Sequence, residues 1–264
     1  MRKFIVSGRF FQKIPYKSDL QYVSRIAKIY KLPIDRIDSV FGFIDEYAPL
    51  YGGRVWNKAD SGISIRKIEA MNRFGIGFGL AMSNKFFNDE AYEVSKKVIE
   101  IMPKSDLNYI IIANDTLSRK VRQDFPDMHQ KLSCIAEVDN VEEIYKRLEL
   151  YDIITLHVDQ NLRDEFLRLI PESIKSKIVL FGIGQCATYC RNKICYTSVS
   201  LSNLKQKHDC VSCIKKLDEK NGKKPLNVPF HISFDLSDSK FDGFEIFKLP
   251  APARDMVKLL GVVA

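Results

Sequence analysis

Short apolar runs rich in β-branched residues alternate along this chain with longer amphipathic stretches. Eight such runs are spaced through the 264 residues. Runs of this kind are typical of strands that are buried on both faces of a parallel sheet, and the stretches between them have helical periodicity. The predicted strands are residues 3–7, 39–44, 76–83, 109–113, 131–136, 153–157, 177–181 and 244–248.

This order of elements predicts an α/β protein that forms one (β/α)8 TIM-like barrel over residues 1–264. An open doubly wound sheet is the alternative, but no glycine-rich phosphate loop follows the first run. An extra strand at the rim is predicted within residues 231–236. The predicted helices are residues 18–30, 63–73, 89–101, 117–125, 141–150, 162–170 and 253–260.

The regular alternation fails over residues 185–229, where cysteines and lysines replace the expected seventh helix. A long irregular insertion in a compact fold is usually functional. This one follows the seventh predicted strand, so in a barrel it begins at the carboxyl ends of the strands, the face that holds active sites. We therefore predict a Cys-rich, Lys-rich metal-binding insertion within the single domain.

Five of the six cysteines lie in this insertion: Cys186, Cys190, Cys195, Cys210 and Cys213. In a cytosolic protein such a cluster indicates metal ligands rather than disulfides. Cys210 and Cys213 are separated by two residues, which is typical of zinc sites. Cys186, Cys190 and Cys195 are spaced more widely, which favours an iron–sulfur cluster. We predict a 4Fe-4S cluster, with zinc or no metal as alternatives. One metal centre needs four cysteine ligands, so one of the five cysteines, Cys195 or Cys213, is not needed as a ligand. The sixth cysteine, Cys134, is predicted to be a core residue.

The charge balance of the chain favours contact with nucleic acid. Its net charge is +8, from 41 Lys and Arg against 33 Asp and Glu. A generic basic surface without a nucleic-acid partner explains this charge equally well. Several lysines follow the cysteines, and an arginine follows the glycine pair at 52–53. The predicted nucleic-acid contacts are Arg54, Lys205, Lys207, Lys215 and Lys216.

Hydropathy patterning places the chain in the cytoplasm. No run approaches the roughly 18 apolar residues of a membrane helix, and the start MRKFIVSGRF does not read as a signal peptide.

Polar residues follow several predicted strands and would meet at one mouth of a barrel, although Asn and Asp also end strands and cap helices. Of these polar residues, we predict that Asn84 and Asp115 belong to an active site at this mouth.

Several strand ends resemble those of the collagenase-like peptidase family of barrel proteins. The quoted segments are KFIVSG at the first strand, SVFGFID, LAMSN ending at Asn84, IIIAND ending at Asp115, KLSCIAE with Ser133, and FEIFKLPAPAR with Lys248. Lys248 stands where the family has a lysine in its closing strand, whereas residues 250–252 replace the family's Glu-Gly-Arg stretch and leave only Arg254 to substitute.

The resemblance implies an iron–sulfur protein that hydroxylates RNA bases or a quinone precursor without molecular oxygen, in some members with prephenate as oxygen donor and with a partner of the same family. It also implies catalytic roles for Asn84, Asp115 and Lys248. The alternatives are a peptidase, for which the residues show no triad, and a zinc-stabilised subunit that binds nucleic acid or a partner without catalysis.

Overall fold

Eight parallel strands form a closed barrel in the computed structural model, which describes residues 1–9, 11–53, 62–184, 194–205 and 232–252. The barrel strands are β1 (Lys3–Ser7), β2 (Ile37–Gly42), β3 (Gly77–Met82), β4 (Tyr109–Ile112), β5 (His129–Leu132), β6 (Ile153–Thr155), β7 (Ile178–Phe181) and β10 (Ile246–Leu249). Two short strands, β8 (Ile183–Gly184) and β9 (Ile232–Ser233), form a separate two-stranded sheet. Strands β1 to β7 pair in chain order, and β10 closes the ring between β7 and β1. The predicted TIM-like barrel is confirmed.

The extra rim strand is also found, because β9 pairs antiparallel with β8. The fifth strand differs from its predicted bounds of 131–136, since it ends at Leu132 and residues Cys134–Ala136 form a 3-10 helix. Ser133 causes the turn, because its hydroxyl accepts a hydrogen bond from the Ile135 N–H. A side chain that bonds to nearby backbone in this way competes with the strand ladder.

Helices cover the outside of the barrel as the periodicity predicts. Asn or Ser side chains cap four of them, at Ser18, Asn88, Asn114 and Asn140, which satisfies backbone N–H groups of the first turn. The predicted helix at 253–260 lies outside the described residues. The α-helices are α1 (Asp19–Tyr30), α2 (Ile65–Arg73), α3 (Asp89–Glu100), α4 (Asp115–Asp124), α5 (Val141–Leu148), α6 (Asp164–Leu169), α7 (Glu172–Lys175) and α8 (Ile194–Lys205).

Helix α8 corrects the expectation that the whole insertion is irregular. It is built from small polar and apolar residues, ICYTSVSLSNLK, without a charged face. Its residues Tyr196, Val199, Ser200 and Asn203 are all buried. A helix that is buried around much of its circumference has no amphipathic period, so sequence patterning did not reveal it.

The strands have two buried faces, one toward the helices and one toward the barrel interior. On β3, Phe78 and Leu80 belong to the main hydrophobic core, while Gly79 faces the interior and leaves room for the ring of Tyr109. Within the described ranges, the structure has no helix that is both long enough and apolar enough to span a membrane.

Candidate active site

A cavity of about 170 Å³ opens at the carboxyl ends of the barrel strands. Every barrel strand, or the segment that follows it, contributes to its wall, so we call it the strand-end cavity. Active sites of such barrels lie at this face, and an apolar pocket with a few polar groups is the usual form of a small-molecule site. The described wall consists of Ser7, Gly8, Arg9, Phe41, Gly42, Phe43, Gly52, Gly53, Ala81, Ser83, Ile111, Ser133, Cys134, Ile135, Val158, Phe181, Tyr196, Lys248 and Pro250.

Lys248 is the predicted catalytic residue that the fold brings to this wall. It lies on β10 and is only 8% exposed. Its Nζ is 4.2 Å from the ring centroid of Phe41 and 5.9 Å from that of Phe181. The ammonium group of this lysine is therefore surrounded by aromatic carbon on two sides of the cavity.

A second lysine is buried deeper in the barrel. The Nζ of Lys131 lies 3.7 Å from the Oδ2 of Asp38 and 3.7 Å from the ring centroid of Tyr109. The Tyr109 hydroxyl is in turn 2.8 Å from the Ser39 hydroxyl. Burial lowers the pKa of Lys131, Asp38 opposes this shift, and the positive charge of Lys248 lowers the pKa further. Two lysines thus interact inside one barrel.

Asn84 lies beside the cavity rather than on its described wall, and its side chain is fully buried. Its amide donates hydrogen bonds to the carbonyls of Pro49, Tyr51 and Ser200 at 3.0, 3.3 and 2.9 Å. Its Oδ1 accepts one from the Phe86 N–H at 2.9 Å. These contacts give Asn84 a structural role, which is to join the loop after β2 to helix α8. A catalytic role for it stays a prediction.

Helix α8 docks on the barrel mouth through buried polar contacts. Asn203 donates to the Tyr51 carbonyl at 2.9 Å, and the Tyr47 hydroxyl donates to the Asn203 carbonyl at 2.7 Å. The Ser200 hydroxyl accepts from the Lys85 N–H at 3.1 Å. This docking places Tyr196 on the cavity wall. The helix that carries Cys195 therefore borders the candidate active site.

The loop after β2 passes so close to the backbone after β3 that position 52 must be glycine. A Cβ at that position would overlap the backbone of Ser83 and Asn84. Gly52 instead donates a hydrogen bond to the Ala81 carbonyl at 3.2 Å. The glycine pair at 52–53 thus forms part of the cavity wall, while Arg54, the predicted nucleic-acid contact that follows it, lies outside the described residues.

Asp115 lies away from the described cavity wall, at the start of α4. Its carboxylate pairs with the guanidinium of Arg147 and accepts a hydrogen bond from the Tyr151 hydroxyl at 3.0 Å. Arg147 also donates to Glu143 at 2.6 Å. This network connects α4 to α5 on the outside of the barrel. The predicted catalytic role of Asp115 thus gains no support from its contacts.

His157 follows β6 and is 3% exposed. Its Nδ1 is 3.1 Å from the Oδ2 of Asp159, and its Nε2 is buried and has no hydrogen-bond partner among the residues that the structure describes. Among the described residues, His157 therefore has a partner at only one of its two ring nitrogens. Its ring lies edge to face with that of Tyr196, with centroids 6.4 Å apart, so it lies behind the cavity wall.

The structure describes only one of the five predicted cysteine ligands and one of the predicted nucleic-acid contacts. Cys195 is half-buried in α8, and Lys205 is exposed at the end of that helix. Within the described part of the chain, no three His, Cys, Asp or Glu side chains are grouped to hold a metal ion. Outside the described residues lie Cys186, Cys190, Cys210, Cys213, Lys207, Lys215 and Lys216.

Sequence reasoning missed most of the polar wall. Ser7, Arg9 and Ser83 line the cavity. Ser133, which the family resemblance singled out without a role, also lines it, and Cys134 is a wall residue as well as a buried one. The available signal was a small polar residue at the end of an otherwise apolar strand. In a barrel such a residue at the carboxyl end faces the mouth, because both strand faces are otherwise filled by apolar packing.

Comparison with known proteins supports the fold. No family model matches the chain, and no curated protein matches it. Among solved structures, the U32 peptidase Mk0906 superposes with a TM-score of 0.63 at 12% sequence identity, over 96% of this chain and 94% of that one. At this identity the likeness concerns the fold alone. The chain therefore shares its barrel with a U32 peptidase, and the predicted resemblance to the collagenase-like peptidase family holds at the level of the fold.

Proposed function

We propose that this chain is an iron–sulfur-dependent enzyme that modifies RNA, by hydroxylation without molecular oxygen or by a related reaction, in the strand-end cavity. The observation that carries the proposal is that helix α8 contributes both a cysteine, Cys195, and a cavity wall residue, Tyr196. A centre held by the cysteine segment would thus be next to the substrate.

The residues present fit such a cluster by their chemistry and by where their segment begins. Five thiols lie within residues 186–213, and thiolates are the usual ligands of iron–sulfur clusters. Gly184 precedes the segment and packs against Val158, which lines the cavity. We propose that four of Cys186, Cys190, Cys195, Cys210 and Cys213 hold the cluster. When bound, it would supply single-electron chemistry.

The cavity itself suits a single base or a small co-substrate rather than a folded RNA. Its volume is about 170 Å³, and its wall is largely apolar. A base would have to leave its stack to enter, as in other enzymes that act on nucleobases. Phe41, Phe43 and Phe181 offer faces for stacking and exclude water, while Lys248 and Arg9 offer positive charge.

Anaerobic purification tests the metal centre. The protein is expected to be brown, to contain about four iron atoms per chain, and to lose its visible absorption on reduction with dithionite. Cys186→Ser should lose most of the iron, whereas Cys134→Ser, which changes a cysteine outside the predicted ligands, should keep it. A colourless protein with one bound zinc would contradict the proposal and support the non-catalytic alternative. Casein cleavage abolished by Cys190→Ala would support a peptidase.

The proposed RNA contact is tested by charge reversal. Lys205→Glu should weaken binding of tRNA severalfold at low salt and reduce the salt dependence of the affinity, because one fewer phosphate counterion is released. Lys177→Glu is the matched control, since Lys177 is also exposed but precedes β7 at the opposite face of the barrel. Equal effects of the two changes in a filter-binding titration would argue against a contact at the mouth.

A further inference from the structure

We propose that Ser7 and Ser133 select the ligand of the strand-end cavity by donating hydrogen bonds, from opposite sides of the barrel, to two carbonyl oxygens of one planar ring. The inference rests on the proposed function, because it names the kind of ring that the same cavity accepts. It does not depend on the metal centre.

The first support is that both serines belong to one layer of inward-facing side chains. Ser7 is level in register with Phe41 on β2, and Phe41 is level with the residue two positions before Ala81 on β3. Strands of such a barrel are staggered by about one residue per strand, so Ala81 lies at the height of Ser7. The same offset leads on to Ser133 and Phe181 and then back to Ser7. Since β1 and β5 are opposite in the ring, the two serines face each other across the cavity that all four residues line.

The second support is the size of the side chains in this layer. A barrel layer is normally filled by four residues, most of them bulky and branched. Here three of the four are Ser or Ala, and Phe181 alone is large, so the layer leaves a space beside one aromatic side chain. The layer below closes this space with larger wall side chains, those of Phe41, Ile111 and Lys248.

The third support is the hydrogen bonding of the two hydroxyl groups. The Ser7 hydroxyl accepts a hydrogen bond from the Arg9 N–H, and the Ser133 hydroxyl accepts one from the Ile135 N–H, each at 3.4 Å. A hydroxyl accepts two hydrogen bonds and donates one, so both O–H groups remain able to donate. In the described part of the chain neither has an acceptor, and the described wall carries no carboxylate. A buried donor without a partner is costly, so a ligand that accepts from both serines is favoured.

The fourth support is that the backbone holds both serines in place before any ligand binds. The hydroxyl of the buried Tyr30 accepts from the Ser7 N–H at 3.0 Å and donates to the Ser7 carbonyl at 2.9 Å. The Ser133 N–H donates to the Ile112 carbonyl at 2.7 Å. Donors that are fixed in advance lose little entropy on binding, so they suit a rigid ring whose oxygens are also fixed.

Three probes test the proposal by NMR chemical-shift titration of the full-length protein. Uracil has two ring carbonyls. Benzene has none, and it binds in apolar protein cavities of about 150 Å³. Ser7→Ala and Ser133→Ala should each weaken uracil binding about two- to tenfold, which corresponds to the loss of one hydrogen bond, and should leave benzene binding unchanged within about twofold. The third probe, uridine 5′-monophosphate, carries the uracil ring on a sugar phosphate.

Two results would overturn the role of the serines. The first is equal uracil affinity of the wild type and both variants. The second is an equal loss of benzene and uracil affinity, because the serines would then only shape the cavity. Ala81→Leu checks the position of the ring, since the larger side chain should fill the space beside Phe181 and prevent binding of both uracil and benzene. Uracil binding to this variant at wild-type affinity would show that the ring does not occupy this layer.

The monophosphate separates this proposal from the proposed function. If it binds with the same dependence on the two serines as uracil does, the ring is the base of a nucleotide and both proposals are supported. If uracil binds through the serines but the monophosphate is excluded, the serine pair is supported, the ligand is a free ring compound, and RNA is contradicted as the substrate. An iron–sulfur protein that binds tRNA but whose uracil affinity is the same without either hydroxyl would give the opposite result.

Discussion

Replacing Asn84 by serine is expected to lower the free energy of unfolding by about 2–4 kcal/mol, because buried polar groups that lose their partners cost about 1–3 kcal/mol each. Serine is too short to reach the carbonyls of Pro49, Tyr51 and Ser200 together, which Asn84 now serves. Helix α8 should loosen from the barrel mouth as a result. Urea unfolding followed by circular dichroism measures the loss, and hydrogen exchange of α8 locates it.

Asn88→Ser is the matched control for this change. Asn88 caps α3, and its side chain accepts a hydrogen bond from the Ala91 N–H at 2.7 Å. Serine is an equally good cap, so the same substitution there should change stability by only a few tenths of a kcal/mol. If the two variants unfold at the same urea concentration, Asn84 does not hold the helix as its contacts indicate.

Replacing Asp38 by asparagine is the second change with a large expected effect, about 1–3 kcal/mol of stability lost at pH 7. Breaking a fully buried ion pair costs about 3–5 kcal/mol, and we expect less here because Asp38 is partly exposed. The change leaves the ammonium of Lys131 in the barrel without its carboxylate. The shape of the side chain and its place beside the Ser39 hydroxyl are kept.

The pH dependence of this loss follows from the pKa of Lys131, which burial lowers from its ordinary value. The folded protein therefore binds the Lys131 proton less tightly than the unfolded chain does, so the contribution of Lys131 to stability improves as the pH rises above neutral. When Lys131 is neutral in the folded wild type, it no longer forms an ion pair with Asp38, so loss of the Asp38 carboxylate costs less stability. The deficit of Asp38→Asn should therefore be largest near pH 7 and shrink toward pH 10.

Asp242→Asn is the control for the charge change. Asp242 pairs with Arg2 at 3.7 Å and is 73% exposed, and exposed ion pairs contribute less than about 1 kcal/mol. Its effect should be small and independent of pH between 7 and 10. A deficit for Asp38→Asn that stays constant over this range in chemical denaturation would show that the charge of Lys131 is not its cause.

The sequence alone determined the barrel and the position of one wall residue. Runs such as residues 3–7 and 177–181 are apolar on both faces, and this local pattern predicts a buried parallel strand whatever its neighbours are. Lys248 was identified because it stands where the collagenase-like peptidase family has a lysine in its closing strand. The place of the cysteine segment after the seventh strand followed from the same count of elements.

Only the tertiary structure decided which polar residues meet. Asn84 and Ser200 are 116 residues apart in the chain, and Lys131 meets Asp38 only because the strands close into a ring. Helix α8 was hidden for a related reason, since a helix buried on most sides has no polar face to mark its period. Periodicity records which side of an element is buried, whereas the partner on that side depends on packing between distant parts of the chain.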